Sequence, residues 1–348
     1  MDILFLGTSS GVPTRQRNVT ALALQPENSR DWYLVDCGEA TQHRLLRTPL
    51  SVRNLKAIFI THVHGDHSYG LPGLLASAAM NGRTEPLVLI GPRALWPWLE
   101  LTRSMSELYL PYELQFIAVD EVPLRDVPVR EVDGAHAPLR DTPVWHDQRI
   151  SVCATLLSHR VASYGYSFTD SSQEAVLDSA RLQADGVAPG AVWGQLKQGR
   201  DVVWQDRTLL ARDYLLPAQA ARKIVVGGDN DQPDLLQSAC DGAQVLIHEA
   251  TYTEDVAAKV GPSVMHSDAA RVARFAQHRR VPNLILTHFS PRYQHNLTQS
   301  PSIEDIRQEA LQHYDGQLWL ADDLARYRLN KGGQLQRMAE PASQPPVE

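Results

Sequence analysis

The run FITHVHGDH, residues 59–67, places three histidines and one aspartate within six positions. His62 and His64 are two apart, so a helix would point them to nearly opposite sides, whereas an extended segment gives them a common face. The cluster is therefore not helical. Neutral imidazoles gathered with a carboxylate suit zinc, with Zn–N distances of about 2.0–2.1 Å. Isolated histidines would signal little, but H-x-H-x-D-H is a specific arrangement of ligand types.

The neighbouring elements explain how such a cluster is held. The preceding AIFI (57–60) reads as a buried strand, and GLPGLLASAAM (70–80) as a helix that accepts Pro72 in its first turn. The ligands then occupy the turn between them. The second half of the chain repeats this logic. WYLVD (32–36) runs to Asp36 and AIFITH to His62, while KIVVGGD (223–229) runs to Asp229 and LILTH (284–288) to His288. AQVLIHEAT (243–251) adds another strand ending in polar residues. Strand ends gathered at one rim are where α/β proteins place ligands, and two sheets flanked by helices fit this order of elements.

Length and composition agree with an intracellular enzyme. A chain of 348 residues has core enough to need no covalent staples. Its three cysteines, Cys37, Cys153 and Cys240, make neither a disulfide framework nor a CxxC zinc site. The start MDILFLGTSSGVPT has an acid where a secretory signal has basic residues, and no stretch approaches a membrane span of roughly 20 apolar residues. Cytoplasm is the expected location. A net charge of −7 argues against indiscriminate nucleic-acid binding. It does not exclude RNA, because affinity follows local phosphate neutralisation and bound cations that the formal charge omits.

The ordered motifs FLGTSSGVPTRQRN, VDCGE, THVHGDH, SHRVASYGY, GGD, HEAT and LTHFSPRY resemble ribonuclease Z, the tRNA 3′-processing nuclease of the metallo-β-lactamase fold. The resemblance spans about residues 1–329. It implies an αββα sandwich with an inserted projecting arm, two zinc ions per chain, and hydrolysis of an RNA phosphodiester by metal-bound hydroxide. Manganese or cobalt would be acceptable substitutes for zinc. Carried over by motif, His62, His64 and His159 hold one zinc, Asp66, His67 and His288 hold the other, and Asp229 bridges them. Asp36 reads as a supporting residue. The catalytic set is Asp66, His266 and Glu249: His266 of SVMHSDAA stands where the family keeps a histidine to protonate the leaving 3′ oxygen, and Glu249 orients it and raises its pKa. His248 reads as structural.

The same resemblance makes the chain a catalytic domain over 1–330, with an arm at about 170–220 that grips precursor tRNA, while the Pro-, Gln- and Ala-rich composition of 331–348 reads as a disordered tail. Within the arm, LQADGVAPGAVWGQLKQGRDVVWQDRTLLARDYL (182–215) offers Lys197, Arg200, Arg207 and Arg212, which suit contacts to phosphates without base reading. Arg15, Arg17 and Asn18 of PTRQRN, and Arg292 of SPRY, are further candidates for RNA contact. The family further implies a homodimer whose arm holds tRNA for the partner's site, and no membrane association. Two departures from the family stand out. Asn230 replaces a common threonine, and the segment 122–150, with His136 and His146, is longer than usual. The competing reading is a metal-dependent phosphodiesterase acting on smaller phosphate esters, for which the arm would be dispensable.

Overall fold

The computed structural model describes residues 1–122, 143–170, 177–216, 221–295 and 300–339. The chain first lays down β1 (Asp2–Gly7), β2 (Ala21–Gln25), β3 (Trp32–Val35), β4 (Leu55–Phe59), β5 (Leu87–Gly91) and β6 (Leu114–Ala118). It then builds a second sheet from β7 (Trp145–His146), β8 (Ile150–Leu157) and β9 (Ser163–Asp170). After the inserted residues, which carry β10 (Val202–Trp204) and β11 (Arg207–Leu209), the second sheet resumes with β12 (Arg222–Val226), β13 (Val245–Glu249), β14 (Asn283–Thr287) and β15 (Gln317–Leu320). Finally β16 (Arg326–Leu329) and β17 (Leu335–Arg337) return to the first sheet. The sheet orders are β17-β16-β1-β2-β3-β4-β5-β6 and β15-β14-β13-β12-β9-β8-β7.

Residue alternation decides the layering. Ile3, Phe5, Tyr33, Phe59, Tyr166, Phe168, Ile224 and Ile285 point between the sheets into one core. Their neighbours Leu4, Leu6, Leu34 and Ile58 face the other way, onto the helices Leu71–Met80 and Leu95–Met105. On the second sheet Val225, Leu246, Leu284 and Leu286 meet the helices Ala269–His278 and Ile303–Leu311. Both faces of each central strand are thus buried, which is why these strands are almost continuously apolar. The result is the αββα sandwich expected from the sequence.

Strands β3 to β6 are parallel, as are β12 to β15. Their carboxyl ends therefore collect at one rim, each followed by a polar turn. Gly228 lets the turn after β12 cross close to the first sheet: a Cβ there would lie 2.8 Å from both the Thr61 Cβ and the Tyr164 carbonyl oxygen.

The chain divides into two compact units, Met1–Asp170 with Arg222–Glu348, and Ser171–Ala221. The second has its own small core of Leu182, Val187, Leu196, Val202, Leu209, Ala211 and Tyr214. Helices Ser179–Ala184 and Ala191–Lys197 and the β10–β11 hairpin surround it.

One expectation is corrected. Disorder was expected from residue 331, yet β17 pairs with β16 and buries Leu335 at 1 % exposure. The turn is closed by Asn330, whose side chain accepts from the Gln334 amide, with Gly333 at φ 77°. A Gly- and Gln-rich composition hid a hairpin that one leucine anchors. Residues 340–348 lie outside the described residues, as does His136, while His146 is exposed at the end of β7.

Candidate metal centre

The structure brings all seven proposed ligands together at the strand-end rim. His62 follows β4, and His64, Asp66 and His67 follow on the turn into the short helix Gly65–Ser68. His159 follows β8, Asp229 follows β12, and His288 follows β14 with its backbone at φ 60°. His62, His64, His159 and Asp229 form one group of donors, and Asp66, His67 and His288 another.

Their spacing fits cations. Donors bound about 2.0–2.1 Å from one tetrahedral ion lie about 3.3–3.4 Å from each other. His64 Nδ1 lies 3.1 Å from His62 Nε2 and 3.2 Å from His159 Nε2. In the other group, His67 Nε2 lies 3.2 Å from His288 Nε2 and 3.5 Å from Asp66 Oδ2. Asp229 faces both groups with different oxygens. Its Oδ2 is 3.6 Å from His62 Nε2 and 3.8 Å from His159 Nε2, and its Oδ1 is 3.4 Å from both His67 Nε2 and His288 Nε2.

The other ring nitrogens fix which lone pairs are free. His67 Nδ1 donates to Asp36 at 2.7 Å, and His159 Nδ1 to the Met265 carbonyl at 2.9 Å. Thr61 spends its hydroxyl proton on Asp36, so it accepts from His62 Nδ1 at 3.0 Å. Thr251 spends its own on Glu249 and accepts from His288 Nδ1 at 3.0 Å. In these four histidines Nδ1 is taken up by a hydrogen bond and Nε2 faces the other donors, whereas His64 faces them through Nδ1. Asp36, at the end of β3, thus holds the ring of His67, one of the proposed ligands.

Charge balance points the same way. Burial holds His62, His64 and His159 below the ordinary imidazole range. Burial would lower His67 too, but Asp229, Asp66 and Asp36 outweigh it and raise its pKa. The surrounding imidazoles hold Asp66 and Asp229 below the carboxylate range against their burial. Carboxylates that draw a proton onto His67, beside imidazoles that burial keeps neutral, are the electrostatic setting for a divalent cation in that proton's place.

His266 lies beside this cluster on the loop before helix Ala269–His278. Its Nδ1 is 3.0 Å from Glu249 Oε1 and 3.8 Å from Asp229 Oδ2. Burial opposes protonation, but Glu249 and then Asp229 raise its pKa to about 9. Asp229, His266 and His288 also lie close enough to one another to share an ion. His248 is buried, with its ring between the Glu249 carbonyl and the Asn230 side chain. Asn230 itself donates its amide to Glu249 and accepts from the Ser158 amide, tying the Asp229 turn to the His159 turn.

The candidate RNA contacts divide. Arg15 is exposed. Asn18 donates to the Glu39 carbonyl at 2.9 Å. Arg17 is a correction: at 5 % exposure it is out of reach of RNA, and it binds Thr8, the Ala321 carbonyl and Asp322. It anchors a loop whose Gly11 amide donates to Asp66 Oδ2 at 2.7 Å. Arg292 is exposed, with its guanidinium 5.1 Å from the Tyr252 ring centroid. In the inserted unit Lys197, Arg200, Arg207 and Arg212 are all exposed. Sequence reasoning missed the Met265 carbonyl, the Gly11 amide and Thr251. The first two are backbone groups that no residue type marks, whereas Thr251 lay in the HEAT motif.

Comparison with known proteins adds to this geometry. The chain is 50% identical over 336 residues to ribonuclease Z of Pseudomonas putida (strain GB-1), covering 97% of this chain and 99% of the relative. It is 50% identical over 339 residues to ribonuclease Z of Marinobacter nauticus, covering 97% of this chain and 99% of the relative. Among solved structures, the short form of human tRNase Z is similar with a TM-score of 0.62 at 25% identity, covering 94% of this chain and 98% of that one. The metallo-β-lactamase fold protein YhfI of Bacillus subtilis matches with a TM-score of 0.60 at 18% identity, covering 93% and 98%, a likeness of fold. A family model described as anti-Pycsar protein Apyc1 matches residues 1–108.

Proposed function

The chain belongs to the ribonuclease Z family of metal-dependent, tRNA-processing endoribonucleases, and from that membership we propose that it removes 3′ trailers from tRNA precursors at a dinuclear zinc centre. The observation that carries the reading is Asp229, whose two oxygens face two separate sets of imidazole nitrogens. His62, His64 and His159 would hold one zinc, Asp66, His67 and His288 the other, with Asp229 shared. Bound there, the two ions supply an acidified water for attack and neutralise charge building on the phosphoryl oxygens.

The remaining steps belong to this chain's own groups. Asp36, Thr61, Thr251 and the Met265 carbonyl hold the imidazole tautomers, so the donors are set before substrate arrives. Asp66 is held by the Gly11 amide, which fixes its carboxylate relative to the cleft. The leaving ribose 3′ oxygen is too basic to depart readily, and His266, kept protonated by Glu249, hands it a proton.

In this reading the unit of Met1–Asp170 with Arg222–Glu348 is the catalytic domain, and the inserted unit is the tRNA-binding arm. Its exposed Lys197, Arg200, Arg207 and Arg212 would pair with phosphates of the folded tRNA body. Arg15, Asn18 and Arg292 would meet RNA nearer the cleft. By likeness to the family the active form is a homodimer working in the cytoplasm. The test is to incubate purified protein with tRNA precursors with and without an encoded CCA and to size both fragments. A single cut at the mature 3′ end, leaving a 3′ hydroxyl on the tRNA, is expected. Intact precursor beside rapid hydrolysis of a small phosphodiester would refute the reading.

A further inference from the structure

Two cavities share His266 on their walls, and only the larger is lined by the proposed ligands His64, Asp66 and Asp229. The smaller, of about 260 Å³, is lined by Tyr252, Val264, Met265 and Arg271. The other, of about 410 Å³, is also lined by Gly11, Pro13, Tyr69 and Arg160. The larger lies within the size range of sites that take nucleotide-sized groups.

Tyr69 is the unusual member of that lining. It immediately follows the helix Gly65–Ser68, two residues after the ligand His67, yet it is 63% exposed. Its ring is held in place on two sides. It stacks on Trp98 with centroids 6.0 Å apart and planes 26° from parallel. It also packs against Gly65, where a Cβ would fall 2.3 Å from the ring. An aromatic ring fixed by its neighbours but open to a cleft loses little freedom when another flat group stacks on it. Arg160, exposed at the same cavity, adds positive charge for a neighbouring phosphate.

The direction of cleavage says which base would reach it. A proton donor must face the leaving 3′ oxygen, so the last tRNA nucleotide lies toward His266. The phosphate stays with the first trailer nucleotide at the donor cluster, and the cavity lined by His64, Asp66 and Asp229 is the larger one. We propose that Tyr69, backed by Trp98, is the stacking platform for the base of the first trailer nucleotide. Stacking tolerates any base, because every base has a π-face, and a trailer has no fixed sequence at that position. The inference rests on the tRNA 3′-processing reading above.

A double-mutant cycle in the metal-loaded enzyme tests it. Wild type, Tyr69→Ala and Tyr69→Phe are compared on a precursor with an ordinary first trailer nucleotide and on one abasic there. A third substrate is abasic at the last tRNA nucleotide. Tyr69→Ala should lower kcat/KM about 10- to 100-fold on the ordinary precursor, chiefly through KM, and Tyr69→Phe should retain most of it. Wild type should lose the same factor on the abasic trailer, and Tyr69→Ala should lose nothing further. Additive losses would overturn the proposal, since the ring and the base would then act apart. Non-additivity with the third substrate instead would place the platform on the wrong side of the cut. Metal content and thermal midpoint of Tyr69→Ala equal to wild type exclude a damaged centre. No cleavage of any precursor by wild type would defeat the tRNA reading itself, separately from the role of Tyr69.

Discussion

His266 pairs with the buried Glu249, its imidazole Nδ1 3.0 Å from the carboxylate Oε1, at the edge of the seven-residue donor cluster. Glu249 occupies Nδ1, so only Nε2 remains to meet a substrate. Replacing His266 by alanine should lower kcat on the order of 10²–10⁴-fold with metal content unchanged. A substrate whose leaving group has a low pKa should be much less affected. Loss of a metal ion from the variant would show that His266 is a ligand instead.

Asp36 accepts the Nδ1 proton of His67 and two bonds from Thr61, so it tunes a ligand without touching the centre. Asp36→Asn keeps the positive φ that this position requires but supplies a weaker acceptor. Metal affinity, measured by competition with a chelator, should fall about 10- to 100-fold. Unchanged affinity would remove Asp36 from the account.

The inserted unit carries its own core, so its loss leaves the sandwich core intact. Replacing residues 177–216 by a short Gly/Ser link should weaken precursor processing through KM while hydrolysis of a small activated phosphodiester persists. Wild-type affinity for precursor should also fall more steeply with salt than that of the deletion, because the lost contacts are to phosphates. Equal processing by both proteins across salt concentrations would refute the arm's role.

Asp2 joins β1 to β16, bonding Arg328 at 2.7 and 2.8 Å and also Arg326. Burial raises its pKa, but these arginines outweigh it and bring it below 3.8. A depressed folded pKa means stability that is present above the unfolded value and lost as pH falls through the folded one. Asp2→Asn should therefore cost about 1–2 kcal/mol at pH near 7, the arginines being partly solvated, and progressively less below about pH 4. Denaturant unfolding at both pH values measures it, and an equal cost at both would contradict the argument.

The H-x-H-x-D-H cluster was legible because residue type and an extended two-residue spacing coincide on one short turn. His288 was marked by the strand-to-Thr-His pattern it shares with His62, whereas His159 carried no such local mark and the resemblance to a family assigned it. The central strands β3, β4, β12, β13 and β14 were legible because buried parallel strands are continuously apolar. Arg17 was misread because an arginine in a loop looks the same in sequence whether it meets solvent or, as here, fills a buried site under Phe289. The hairpin at Leu335 was hidden by its polar composition. Tyr69 gave no signal either, since exposure of an aromatic is settled by packing that brings Trp98 to it from another helix.

The central claim is that two ions share Asp229 and that both are needed to cut RNA. Metal-free protein should be titrated with zinc while cleavage of a tRNA precursor and bound zinc per chain are followed together. Activity should rise to its full value only as the ratio approaches two zinc ions per chain. Full cleavage at one ion per chain, or at none, would contradict it.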